Sequence, residues 1–343
     1  MAKKLILGCG NPLLDISAEV DESLLEKYGL QHANAILAEE KHLPLYEELV
    51  EKYNVTYIAG GATQNSIRVA KWMLQDKGRA AYIGAVGQDQ YSKQLEESAA
   101  KDGVETHYMH NAEVPTGTCA VCVVKKDRSL VANLGAANTF RFEHIESEAC
   151  QQALNESSVA YMAGFFLTVS PQTAEYIGRH CAEHNKIFAL NLAAPFIVEF
   201  FGEAVSTVIP YADYVFCNED EAATYARVHN LEDQTPAGVG KHICALPKVN
   251  GGRPRIMVVT QGKEPTVVVI GTDVIEFPTP LLDKSLIVDT NGAGDSFVGG
   301  FLAELLLDKP LEECIKAGQY AARTVIQHNG CTFPEKPADE SEW

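Results

Sequence analysis

Residues 289–301 read DTNGAGDSFVGGF and carry the densest set of groups that could do chemistry in the chain. The apolar residues Leu286, Ile287 and Val288 precede the run, and a helical pattern of Phe297, Val298, Phe301, Leu302 and Leu305 follows, so a strand is expected to turn here into a helix. Gly292 and Gly294 lack a Cβ, which admits positive φ angles and lets another molecule approach the amides closely. The first N–H groups of the new helix have no intrahelical partner and lie at the positive end of its dipole, so a phosphate suits them. Asp295 is then a carboxylate placed where an anion should sit, which is unfavourable unless it has a chemical task. Accepting a proton from a hydroxyl that attacks the phosphate is such a task. An ordinary tight turn with Asp295 as a helix cap fits the same residues, and the glycine pair alone leaves both readings open.

Three smaller groups stand out. Gly60 and Gly61 open a second helical pattern with Asn65 one turn in. No Lys follows in the spacing of a phosphate loop, and adjacent glycines would instead admit the flat edge of a ligand. Asn11 and Asp15 come just after the first strand; beside Gly10 and Pro12 they read as turn formers, yet beyond a strand end they also suit a sugar, because one carboxylate can accept from two neighbouring hydroxyls. Asn218 and Glu221 follow a strand ending at Cys217 and share one helical face, where a helix cap with a solvated Glu accounts for them.

These residues need a scaffold. Apolar strands at 5–8, 159–166, 187–192 and 214–216 alternate with helical patterns at 171–184, 197–209 and 219–227, the order of a parallel sheet with right-handed crossovers. Its ligand should lie beyond the carboxyl ends of the strands. A long helix is expected at 43–53, further strands at 255–260 and 267–270, and a C-terminal tail, 331–337, packed on the body. Residues 116–135 read as a β-hairpin, with Thr118, Ala120, Cys122 and Val124 alternating, a turn near 125–128 and a return at 130–133. Because it interrupts an α/β order, the hairpin should join short strands at 16–20 and 35–38 in a separate lid, with Arg128 near its tip, where a cation could meet a triphosphate.

Length and composition set the class. The chain has 343 residues, 46% apolar and 22% charged, an ordinary globular composition. Its formal charge of -18 argues against a nucleic-acid polymer, which is held by clustered Lys and Arg. The 9 cysteines are scattered and odd in number, so reduced thiols in a cytosol-like compartment are expected. Cys119 and Cys122 fall on opposite faces of a strand, and no second pair completes a zinc site. The apolar start at Leu5 to Leu7 is too short for a signal segment, and the longest candidate span, 297–307, is short and carries Glu304, so no membrane association is expected.

The run at 289–301 closely resembles the C-terminal signature of the ribokinase, or PfkB, family of carbohydrate and nucleoside kinases. Residues 58–65 (IAGGATQN) resemble its N-terminal signature, and 84–89 (GAVGQD) also match. The resemblance implies a ribokinase-like three-layer α/β sandwich with a mostly parallel central sheet and a small β-rich lid. In one kinase unit the large domain would take approximately 1–15, 42–105 and 138–343, and the lid 16–41 and 106–137. It implies Asp295 as the catalytic base, an anion hole from the amides of Gly292, Ala293, Gly294 and Asp295, and Arg128 reaching the phosphates. Gly60, Gly61 and Asn65 would contact the sugar, Asn218 and Glu221 would order hydrated Mg²⁺ and the phosphates, and Gln261 with Gly262 would form a nucleotide-side loop.

Longer runs, GNPLLDIS, AGGATQNSI, PTGTC, AGFFLTVSP and CTFPEKP, resemble a eukaryotic nucleoside-kinase branch of the family rather than its sugar kinases at large. This implies ATP as donor and the 5′-hydroxyl of adenosine as acceptor. Asp15 would hold the ribose 2′ and 3′ hydroxyls, with Asn11 near base and ribose and Asn291 on the substrate side. Phe165 would stack on adenine, and Leu37, Leu130, Ala132 and Phe196 would complete an apolar slot of the kind a purine requires. Ala35 departs from the glutamine that some members carry at the matching place. The same resemblance implies Mg²⁺ as cofactor, with a monovalent cation as a possible addition, and a monomeric cytoplasmic enzyme with a possible nuclear pool. Another PfkB-family kinase and a catalytically silent nucleoside-binding protein are the alternatives; the presence of Asp295, Asn218 and Glu221 together disfavours the silent one.

Overall fold

The computed structural model describes residues 3–32, 34–125 and 127–343. Among them the strands are β1 (Leu5–Cys9), β2 (Leu13–Glu19), β3 (Ala35–Leu37), β4 (Thr56–Gly60), β5 (Arg79–Gly87), β6 (Val104–Asn111), β7 (Thr118–Val124), β8 (Asp127–Asn133), β9 (Ser157–Ala163), β10 (Ile187–Asn191), β11 (Tyr214–Asn218), β12 (Ile256–Gln261), β13 (Glu264–Ile270) and β14 (Asp273–Phe277). They form a nine-stranded sheet in the order β14-β13-β12-β11-β10-β9-β1-β5-β6 and a five-stranded sheet in the order β3-β8-β7-β2-β4.

The large sheet is parallel from β12 to β6, and β13 and β14 add an antiparallel edge. Its central strands are apolar on both faces. In β1, Leu5, Leu7 and Cys9 point into one buried cluster while Ile6 points into the other, and β5 divides its residues in the same way. Strands buried on both sides need helices over both faces, which gives the three layers. The expected helix at 197–209 is two helices, Pro195–Phe200 and Gly202–Val208, broken at Phe201, which leaves the helical conformation at φ -118° and ψ 23°. The C-terminal segment packs as expected: Cys331 is buried and Phe333 stacks on Trp72 at 5.1 Å.

In the small sheet β7 and β8 form the expected hairpin; Lys126, in its turn, lies outside the described residues. Cys122 packs with Ile16, Ala18 and Val131 against Leu45 and Leu49 of the helix Leu43–Lys52, whereas Cys119 packs on the opposite face with Leu13 and Val121. The strand limits of the two sheets do not coincide with the expected lid ranges: β2 enters the small sheet at Leu13. β4 belongs to the small sheet because it pairs antiparallel with β2 from Leu13 to Ser17, and β6 stays in the large sheet because it pairs along β5 from Val104 to Asn111. No helix among the described residues is long and apolar enough to cross a membrane.

Candidate active site between the two sheets

A cavity of about 410 Å³ opens where the small sheet faces the carboxyl ends of the large one. It collects the expected site residues except Gly60, Gln261 and Gly262. Its floor is the turn into the helix Ala293–Leu306. Gly292 takes a left-handed conformation, φ 74° and ψ 2°, as the N-cap, and no side chain caps this end. The Ala293 N–H turns back to the Thr290 carbonyl at 3.3 Å and Ser296 N–H donates to the Gly292 carbonyl at 2.8 Å. The amides of Gly294 and Asp295 find no acceptor among the described residues, an arrangement suited to an anion.

The approach to this turn is not the expected strand. Lys284–Leu286 is a single 3-10 turn, and the N–H groups of Val288 and Asp289 both donate to the Ile326 carbonyl, at 2.9 and 3.1 Å. With those donors committed to the end of the last helix, no sheet neighbour can form there, and Leu286 and Val288 stay 49% and 42% exposed. Asp289 holds the approach in place. Its buried carboxylate accepts from the N–H groups of Asn291 at 2.8 Å and of Gly330, and it pairs with Arg128.

Asp295 is half-buried on the floor, and Asn65 of the helix Ala62–Leu74 donates its Nδ2 to Asp295 Oδ2 at 3.0 Å. Burial pushes the Asp295 pKa up to about 6, against which the Asn65 hydrogen bond pulls it down. Asp15 sits inside β2 rather than in the loop beyond β1, flanked by Cys119 of β7 and Ile58 of β4. It is buried, and its pKa rises to about 7, first through burial and then through the Asp295 charge, with Arg128 and Arg68 pulling the other way. Gly60 does not reach the cavity wall; a Cβ on it would stand 2.3 Å from Asp15 Oδ1, so its role is to make room for that carboxylate. Gly61, at φ 91°, turns the chain into the next helix. Asn11 donates Nδ2 to the Phe165 carbonyl at 3.1 Å, and its buried Oδ1 has no partner among the described residues.

Leu37 of β3, Leu130 and Ala132 of β8, Phe165 and Phe196 line the far wall, with Ala35 beside them. Phe165 and Phe196 face each other at 5.9 Å between ring centroids and 43° between planes, leaving an aromatic corner open to the cavity. Phe165 lies not on a strand but in the 3-10 turn Gly164–Thr168 after β9, beyond the strand's carboxyl end.

Arg128 differs from expectation in place. It is the second residue of β8, buried, opposite Val123, and not at the hairpin tip. Its guanidinium reaches from the small sheet to Asp289 and donates Nη1 to Ser17 Oγ at 2.9 Å, so the cation stands on the cavity wall already paired.

Asn218 and Glu221 form a reciprocal cap at the start of the helix Glu219–Val228. Asn218 Oδ1 accepts from the Glu221 N–H at 2.8 Å, and Glu221 Oε2 accepts from the Asn218 N–H at 3.0 Å. Both also line the cavity, so the cap stands on its wall. Burial pushes the Glu221 pKa up to about 7. Among the described residues no group of three or more His, Cys, Asp and Glu could hold a metal ion. One carboxylate and one amide suit an ion that keeps most of its water and leans on substrate phosphates, as Mg²⁺ does.

Gln261 ends β12 and Gly262 starts the turn to β13, with Gln261 Nε2 donating to the Pro265 carbonyl at 2.6 Å; Thr260, one residue earlier, lines the cavity instead. Sequence reasoning also missed Asn191, Thr290, Cys119 and Leu134 on the wall. Asn191 ends β10, so the carboxyl-end rule for parallel sheets could have found it.

The chain matches the sequence profile described as pfkB family carbohydrate kinase over residues 22–338. It is 50% identical to adenosine kinase 2 of Arabidopsis thaliana over 333 residues, 97% of this chain and 96% of that one. It is 44% identical to the adenosine kinase of Dictyostelium discoideum over 335 residues, 97% and 98% of the two chains. Among solved structures, Anopheles gambiae adenosine kinase in complex with P1,P4-di(adenosine-5) tetraphosphate superposes with a TM-score of 0.95 at 47% identity, covering 99% of this chain and 100% of that one. The Schistosoma mansoni adenosine kinase in complex with adenosine in an occluded loop conformation gives a TM-score of 0.92 at 33% identity, covering 100% and 99%. With a glycine turn, a carboxylate at its mouth and two sheets around one cavity, the chain belongs to the pfkB family of carbohydrate kinases.

Proposed function

We propose that the chain transfers the γ-phosphoryl group of ATP to the 5′-hydroxyl of adenosine, giving AMP and ADP, a purine-salvage reaction. One observation carries this reading. A single cavity is lined by an aromatic corner, the buried carboxylate of Asp15 and the carboxylate of Asp295 at a turn with free amides. Base, ribose and phosphate of a nucleoside and its donor call for those three kinds of group. The relatives and solved structures named as adenosine kinases support the same choice.

Adenine stacks on Phe165 between Phe196, Leu37, Leu130 and Ala132, where apolar burial is the main source of affinity. Asp15 accepts from the 2′ and 3′ hydroxyls, with Asn11, Gly61, Asn65 and Asn291 around the sugar. Asp295 takes the proton of the 5′-hydroxyl as its oxygen bonds to the γ-phosphorus. The bond from that phosphorus to the β,γ-bridging oxygen breaks, and its electron pair leaves on ADP. The free amides of Gly294 and Asp295 face the charge on the transferring group, with Gly292 and Ala293 shaping the turn and the Ala293 amide joining them once it leaves the Thr290 carbonyl, and Arg128 adds a cation once a phosphate competes with Asp289 for it. Asn218 and Glu221 would hold Mg²⁺ through its water, and the ion would neutralise phosphate charge. Gln261 and Gly262 belong to the nucleotide side at one remove, behind Thr260. The small sheet acts as the lid, the enzyme works as a monomer, and its free cysteines suit a reducing, cytoplasmic compartment.

An assay of ATP consumption with adenosine, inosine, ribose and fructose tests this, with turnover expected for adenosine above the other three. Preference for ribose or fructose would move the chain to the sugar kinases. Adenosine binding with no turnover would make it a silent nucleoside-binding protein.

A further inference from the structure

The helix Ala62–Leu74 delivers Asn65 to the floor of the cavity, and the side chain has two features that a sugar contact alone does not explain. Its Nδ2 donates to Asp295 Oδ2 at 3.0 Å, and its Oδ1 is buried with no hydrogen-bond partner among the described residues. Exchanging the two amide atoms would set the amide oxygen against a carboxylate oxygen, two acceptors face to face, so the charge on Asp295 itself dictates the orientation. A carboxylate that must take a proton from one direction needs its other oxygen tethered, and Asn65 tethers Oδ2 and leaves Oδ1 free. The orphaned amide oxygen is costly as long as it has no donor, and a hydroxyl of the acceptor sugar is a donor of the right kind.

We infer that Asn65 is a positioning residue for the base: its amide N–H fixes one oxygen of Asp295 while its amide oxygen receives an acceptor hydroxyl, so that seating the sugar and aiming the base are one event. The inference rests on the reading of Asp295 as the base. The lowering effect of the Asn65 hydrogen bond on the Asp295 pKa agrees with it. Other groups feel the Asp295 charge, namely Asp15 on β2, Tyr161 on β9, Glu221 on the helix Glu219–Val228 and Cys331 of the C-terminal segment. Arg68 and Arg128 in turn act on Asp15, which together with Glu221 titrates in a similar range, so a pH profile is read only as a difference between variants.

The test is a double-mutant cycle on the full-length enzyme, with kcat and adenosine KM measured for the parent, Asn65→Ala, Asp295→Asn and the double variant. Asn65→Ala should lower kcat about thirtyfold with only a few-fold rise in KM, because misalignment of a base acts on the chemical step. In the Asp295→Asn background the same substitution should lower kcat no further. The acid limb of kcat/KM in Asn65→Ala should move up by about one pH unit, the loss of one hydrogen bond to a charged group. A rise in KM with unchanged kcat, or losses that multiply in the double variant, would reduce Asn65 to a sugar contact and overturn the inference. Near-normal turnover of Asp295→Asn alone would instead overturn the reading of the base, an outcome the cycle separates from the first. If Asn65→Ala does not fold, Asn65→Ser, which removes the long-reaching N–H but keeps a polar group, is judged by the same cycle.

Discussion

Two helices meet at the cavity floor, and each is entered through a glycine with positive φ and no side-chain cap, Gly61 at 91° and Gly292 at 74°. The two turns look alike in sequence but differ in what lies against them. A Cβ on Gly61 would stand 2.3 Å from the Asn11 carbonyl oxygen, so backbone already fills that turn. At the other turn a Cβ on Gly292 would stand 3.1 Å from the Cys331 Cβ, a side chain rather than backbone, and one on Gly294 would meet nothing within 4 Å. The first glycine is there so that two stretches of this chain can touch. Gly294 leaves room for something that is not this chain. Their carboxylates differ in the same sense: Asp15, against the filled turn, rises to about 7, and Asp295, at the open one, to about 6.

The largest expected effect breaks the chemistry of the open turn. Asp295→Asn should lower kcat by about a hundredfold or more while adenosine affinity stays within a few-fold, since the carboxylate acts on the proton in the transition state. In the parent enzyme the base must be ionised, and burial has raised its pKa, so kcat/KM should fall as pH drops through about 6. Stopped-flow kinetics across pH with both proteins would check the pair of statements, and an unchanged acid limb in the parent would remove Asp295 from the role.

Alanine at each turn tests the comparison itself. Gly61→Ala adds positive-φ strain to a clash with backbone that cannot move aside, and should destabilise the fold by about 2–4 kcal/mol. Gly294→Ala, inside the first helical turn and facing open space, should leave thermal stability near the parent value and raise the KM for ATP. Equal losses of melting temperature in the two variants would mean that the second turn is packed by the protein after all. A weaker perturbation sharpens the phosphate side. Glu221→Gln should raise the Mg²⁺ concentration for half-maximal rate by about tenfold and spare adenosine KM, because the ion is held by few protein groups.

The open turn was legible in the sequence because it joins residue types that nothing structural requires together: two glycines, a carboxylate and an apolar helix behind them. The filled turn was half legible. Gly60 and Gly61 announced a tight entry to a helix, but Gly60 is small to admit Asp15, a contact between segments that no local pattern encodes. The same limit misplaced Asp15, Arg128 and the approach to Asp289. β2 begins so soon after β1 that its first residues read as loop, Arg128 lies beside a hairpin turn whose exact pairing is set by β7, and Leu286 to Val288 have the composition of a strand but bond to the end of the last helix. Periodicity reports which residues want burial, not which partner their backbone finds.

The smallest expected effect concerns stability and separates the two carboxylates without any substrate. The folded protein raises the Asp15 pKa from 3.8 to about 7, mainly by burial, so the native state holds this proton more tightly than the unfolded chain does. Ionising Asp15 therefore disfavours the native state: the penalty is absent near pH 4, grows as pH rises through 7 and is complete above it. Asp15→Asn removes the ionisation, and in the ligand-free protein it should gain stability at pH 8 by about 1 kcal/mol, roughly 1–2 °C in melting temperature for a chain of 343 residues, and little at pH 4. Asp295→Asn should show the same sign with a smaller gain, since its pKa is raised less and its turn is open. Calorimetry of both variants at the two pH values decides the order. A larger gain from Asp295→Asn would place the more strongly desolvated charge at the open turn and reverse the contrast between them. A loss from Asp15→Asn at pH 8 would mean that Arg128 and Arg68 outweigh burial and that Asp15 stays ionised in the folded protein at neutral pH.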